Sequence, residues 1–82
     1  MKYSLRDDKV FQETLDCMYR FIQSYIQSYG FGPSLREIGE GCHLSKSIVG
    51  RYLDRLEMQG RITREPGLPR SIHVLPEKRN IL

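Results

Sequence analysis

The sequence predicts a mainly α-helical fold, three helices followed by a small β-hairpin. Three observations predict it. Apolar residues recur at steps of three and four from Phe11 to Tyr29 and again from Val49 to Leu56, the period of a helix buried along one face. Residues that start and stop helices punctuate the chain at Ser34, Ser45 and Gly60. After Gly60 the period changes to two: Ile62 sits between Arg61 and Thr63, and Ile72 and Val74 alternate with Ser71 and His73.

The first helix carries Phe11, Leu15, Met18, Ile22, Tyr25 or Ile26, and Tyr29 along its apolar stripe, and the tyrosines are expected to pack in and around the core. Ser4-x-x-Asp7 can cap its start, with Thr14 as a rival for a later start, and Gly30 and Gly32-Pro33 end it. In "PSLRE", Ser34 and Glu37 form a capping box, each side chain meeting the other's backbone N–H. This opens a short second helix whose apolar face is Leu35, Ile38 and Cys42. Gly39 and Gly41 are poor helix formers, and their expected use is close approach of another helix. A tight turn fills Cys42 to Ser45. Ser45 or Ser47 then caps a third helix reaching about Gln59, with Gly60 as its stop. Val49, Leu53 and Leu56 face inward; Ser47, Arg51, Asp54 and Met58 lie on the opposite arc, flanked by Ile48, Gly50 and Arg55. "EPGLP" turns the hairpin.

A length of 82 residues allows one domain with a small core, placed at residues 1–75, with residues 76–82 ("PEKRNIL") as a tail or the start of a linker. At 39% apolar and 28% charged the chain is of the globular rather than the disordered class. No apolar run approaches the roughly 20 residues that cross a bilayer, and charges stand where a secretory leader needs its apolar segment. The expected location is cytoplasmic, with no membrane partner. Cys17 and Cys42 are expected to be small buried thiols rather than a disulfide framework. Adjacent Cys42 and His43 seldom serve one ion, so neither metal nor cofactor is expected. An enzyme is not expected: there is no phosphate loop or nucleophile elbow, and a lysine beside Ser45 on a helix start stays solvated rather than activating a serine.

The net charge of +3 is uneven. Residues 1–29 balance four cations against four acids, whereas residues 45–82 set eight cations against four acids. The surplus points to a polyanion. The order helix, capped helix, tight turn, helix, hairpin is the winged helix-turn-helix layout, whose third helix lies in a DNA major groove. The pattern "LSKSIVGR" suits that task. Small residues (Ser45, Ser47, Gly50) let the backbone near base edges, beside Ile48, and Arg51 can span a guanine edge. These five are the candidate base contacts. Candidate backbone contacts are Ser34, Arg36, Lys46 and Arg55, together with Arg64 and Arg70 flanking the hairpin tip. The rival reading is a winged helix used as a protein-interaction module without specific DNA binding.

"GFGPSLREIGEGCHL" followed by "LDRLEMQGRITREPGLPRSIHVL" resembles the N-terminal DNA-binding domain of LexA repressors. The shared pattern is P-S-x-R-E-I-G-E, then L-x-R-L-E-x-x-G-x-I, then P-R-x-I, and it covers about residues 15–75. The resemblance implies sequence-specific binding of double-stranded DNA at a short palindromic operator. It further implies repression of DNA-damage-response (SOS) promoters and pairing of two copies on DNA. It places the base contacts near the start of the third helix, on Ser45, Ser47, Ile48, Gly50 and Arg51. Repressors of this family continue into a domain with an autoproteolytic Ser–Lys pair, which also supplies most of the dimer contact. A chain reaching Leu82 has no room for that domain and is expected to be either a domain of a longer repressor or a stand-alone DNA-binding protein.

Overall fold

The computed structural model describes residues 5–76, with side chains from residue 9 onward. Three helices, α1 (Leu5–Tyr29), α2 (Leu35–Cys42) and α3 (Lys46–Met58), precede a two-stranded antiparallel hairpin, β1 (Ile62–Thr63) and β2 (His73–Val74). Ile62 pairs with Val74 and Thr63 with His73. This is a winged helix-turn-helix. The Ser4 cap and the tail from residue 77 lie outside the described residues.

Local chemistry sets the ends of α2 and α3. The capping box at α2 is complete: Glu37 N–H donates to Ser34 Oγ (3.1 Å) and Ser34 N–H to Glu37 Oε1 (2.8 Å). At its other end His43 adopts the left-handed conformation (φ 60°) and Leu44 N–H closes onto Gly39 O at 2.8 Å. The left-handed residue ends α2 and redirects the chain toward α3. Of the two serines that could start α3, Ser45 does so, accepting from Ile48 N–H at 3.4 Å. Gly60, at φ 74°, ends α3: its N–H meets Glu57 O (2.9 Å) and Arg61 N–H meets Leu56 O (3.0 Å). A residue with a Cβ would be strained there.

The core is one cluster. Leu15, Met18, Tyr19 and Ile22 of α1 meet Ile38 of α2, Val49, Leu53 and Leu56 of α3, and Ile62 and Ile72 of the hairpin. Gly41 sits where α2 crosses α1; a Cβ there would come within 2.3 Å of the Phe21 ring. Gly39 faces the turn, 2.7 Å from Leu44 O by the same measure. The missing side chains set the spacing, as anticipated, although Gly39 makes room for a turn rather than a helix.

Four details differ from the sequence reading. Thr14 does not start α1; it lies mid-helix, its hydroxyl bonded back to Val10 O at 3.0 Å. Tyr29 is not core but 61% exposed, its ring against Tyr25 and Phe31. Leu35 is exposed too, since α2 is too short to bury both ends of its apolar face. Cys17 is exposed and Cys42 only half-buried. The helical period locates an apolar stripe but not how far the neighbouring elements extend over it.

Candidate nucleic-acid interface

Val49, Leu53 and Leu56 are wholly buried, which turns the opposite arc of α3 to solvent. Ser45, Lys46, Ser47, Arg51, Asp54 and Arg55 are exposed, and Ile48 and Gly50 half-exposed. The five residues expected to meet bases therefore share the outer, N-terminal part of one helix.

Gly50 carries more information than its neighbours. A Cβ built on it would meet nothing within 4 Å, and its φ is not positive. Neither packing nor backbone geometry requires glycine, yet mid-helix glycine costs about 0.5–1 kcal/mol relative to alanine. The helix gives up stability to keep this spot bare, which suits a surface that another molecule approaches closely.

The charges around this arc are sorted by the hairpin. Asp54 could have paired with Arg51, three residues before it on α3. Instead Arg64, beside β1, reaches back and takes both Asp54 and Glu57: its Nε donates to Glu57 Oε1 at 3.2 Å and its Nη2 to Asp54. Among the described residues no ion pair involves Lys46, Arg51 or Arg55. Arg55 lies over the Phe11 ring, 5.4 Å from its centroid, an arrangement that leaves the charge facing outward. Arg64 thus offsets the two carboxylates that would repel a phosphate and leaves the α3 cations uncommitted.

Arg70 is also committed within the chain. Its guanidinium grips Glu37 with both arms (Nη1–Oε1 3.0 Å, Nη2–Oε2 3.0 Å) and donates to Tyr25 Oη (3.1 Å) and Gly32 O (3.2 Å). It stacks on Phe31 at 5.1 Å. Its own backbone is left-handed (φ 57°), so the geometry that aims it inward carries strain. Arg70 ties the wing to the start of α2 and the end of α1. Ser34 and Glu37 belong to the same knot, so the first turn of α2 already holds a carboxylate. Arg36 pairs loosely with Glu40 (3.4 Å, side chains 75% and 70% exposed). Such a surface pair is weak enough to exchange for a phosphate.

Hydrogen bonds from Arg70 and from the Ser34 backbone hold the Glu37 carboxyl down from an ordinary 4.5 to about 2. A depressed folded-state pKa contributes stability that is full above the unfolded value and is lost as pH falls through the folded one. The wild type should therefore exceed Glu37→Gln in stability above pH 4.5, and the gap should close as pH falls toward about 2. Thermal melts across that window test this; a gap independent of pH would contradict it.

The pairings of Arg64 and Arg70 escaped the sequence reading, which placed both toward DNA. Arg70 and Glu37 are 33 positions apart, and nothing in their local sequence joins them. The one available hint was that Asp54, Glu57 and Arg64 converge if the hairpin folds back along α3.

The sequence model of the LexA DNA binding domain matches residues 12–71. The LexA repressor of Bacillus subtilis (strain 168) is 45% identical over 74 residues, 89% of this chain and 36% of its own length. The LexA repressors of Staphylococcus haemolyticus (strain JCSC1435) and Staphylococcus aureus (strain USA300) are 44% and 42% identical over 64 residues, 77% of this chain and 31% of theirs. The chain spans about a third of the length of the curated relatives it matches. The match runs from α1 through the capped second helix and the third helix to the hairpin loop, so this chain belongs to the LexA DNA-binding domain family.

Proposed function

We propose that this chain is the DNA-reading part of a LexA-like transcriptional repressor. It binds double-stranded DNA in a sequence-specific way, α3 in the major groove and the wing against the backbone or minor groove. The carrying observation is the outer face of α3, where a glycine without a packing role adjoins Ser47 and an Arg51 that makes no ion pair among the described residues. Ser45, Ser47, Ile48, Gly50 and Arg51 meet bases. Lys46, Arg55 and Arg36 meet phosphates, the last after releasing Glu40. Ser34, Arg64 and Arg70 act at the backbone chiefly by holding α2 and the wing in place. The operator is palindromic and is met by two copies of the chain, and the regulated promoters are of the DNA-damage-response type. The site of action is the cytoplasm; no helix among the described residues is long and apolar enough to cross a membrane. No catalytic step is assigned to these residues.

Selection from a randomised duplex pool at near-physiological salt tests this reading. Enrichment of a palindrome is expected, and its half-site spacing reports the dimer geometry. Weak binding with little salt dependence would instead favour a protein-interaction module, because phosphate contacts release counterions. The exposed Tyr29 and Phe31 rings, packed against each other, are a surface such a module would use.

Gly50→Ala separates stability from binding. The variant should be more stable by about 0.5–1 kcal/mol and should bind the selected operator less well. Thermal melts and a gel-shift titration on the same samples measure both. Unchanged affinity would mean that DNA does not approach α3 at Gly50.

A further inference from the structure

Cys17 and Cys42 were expected to be small buried thiols, but the fold leaves Cys17 exposed and brings the two sulfurs together. Cys17 lies on the exposed flank of α1 and Cys42 is the half-buried last residue of α2; their sulfurs are 4.0 Å apart. One residue away, Gly41 packs on the Phe21 ring so closely that no Cβ would fit. The two helix backbones are therefore held at fixed spacing beside the sulfur pair. A bond requires the sulfurs to close from 4.0 Å to about 2.05 Å. No group of three or more His, Cys, Asp or Glu side chains able to hold a metal lies among the described residues, so nothing gives the pair the further ligands of a zinc site.

We propose that Cys17 and Cys42 are an oxidant-responsive pair that forms an intramolecular disulfide, stapling the end of α2 to α1. The co-reactant is a low-molecular-weight disulfide such as glutathione disulfide. The Cys17 thiolate attacks one sulfur of the reagent; the reagent's S–S bond breaks, and one glutathione leaves as thiolate and takes up a proton. The Cys42 thiolate then attacks the Cys17 sulfur, the mixed disulfide breaks, and the second glutathione leaves and is protonated. Two electrons pass from the protein to the reagent, and the two thiol protons end on the two glutathiones. The order follows from access. Cys17 is open to solvent, whereas burial, followed by the neighbouring Cys17, pushes the Cys42 thiol up to about 11.

The bond would close a loop across the 25 positions that separate the two residues. A loop of that size restricts the unfolded chain enough to raise the melting temperature of a small domain by about 10 °C or more. The test incubates the 82-residue chain with glutathione disulfide, followed by intact mass, non-reducing peptide mapping and melting. The expected product has lost two hydrogens, contains a peptide linking residues 17 and 42, melts higher, and reverts fully with dithiothreitol. Cys42→Ser should stop at the glutathione adduct on Cys17. A wild-type chain that also stops at that adduct, or that links two chains through Cys17 without the internal peptide, would overturn the proposal.

Discussion

Arg51→Ala should lower affinity for the selected operator by about 1–3 kcal/mol, roughly tenfold to a hundredfold, while non-specific binding changes little. The side chain is exposed on the outer arc of α3, and among the described residues it takes part in no ion pair. Removing it should cost no packing, and the melting curve should stay in place. Arg51→Lys sharpens the test. Lysine keeps the charge but not the planar fork that holds two acceptors of guanine. A lysine variant close to wild type would show that Arg51 meets a phosphate rather than a base. Equal losses on operator and random duplex would show the same, and a gel-shift titration against both duplexes distinguishes these outcomes.

Leu53→Ala should abolish binding by a different route. Leu53 is wholly enclosed, in a cluster drawn from all three helices and the hairpin. Truncating such a leucine costs about 2–5 kcal/mol, the spread reflecting how far the site collapses into the cavity. A domain of this size has little stability to spare. The variant should therefore be largely unfolded at 37 °C, with its far-ultraviolet dichroism and its operator binding lost together and both regained on cooling. Arg51→Ala loses binding with the dichroism intact. A folded but non-binding Leu53→Ala would mean that the recognition face depends on fine core packing, and not on fold alone.

Much of this architecture could be read from local sequence, for identifiable reasons. A capping box is spelled by Ser34 and Glu37 three residues apart, and the inward face of α3 by Val49, Leu53 and Leu56. Each is a short-range pattern, and the structure contains each as expected. What could not be read is pairing between distant charged and polar groups. Arg64 offered a plausible hand to DNA but is spent on Asp54 and Glu57, and Arg70 is spent on Glu37. Neither α3 nor the wing, taken alone, says which acid an arginine will choose. The Cys17–Cys42 approach was hidden likewise, because the crossing of α1 and α2 at Gly41 places those sulfurs side by side.

The bare position at Gly50 bears on how such a reader can change its target. The outer arc of α3 holds a glycine on which a Cβ would meet nothing within 4 Å, an exposed Ser47, and an arginine outside every ion pair among the described residues. Folding depends on the other side of the same helix and on the arginines of the wing. The residues proposed to meet bases at 47, 50 and 51 are thus distinct from those that form the core. Substitutions at 47, 50 and 51 can be sampled, by drift or in a library, without first acquiring compensating mutations in the core. On the proposed reading, lineages of this domain can move to new operators through viable intermediates, and a designer can re-address it by randomising a single helical surface.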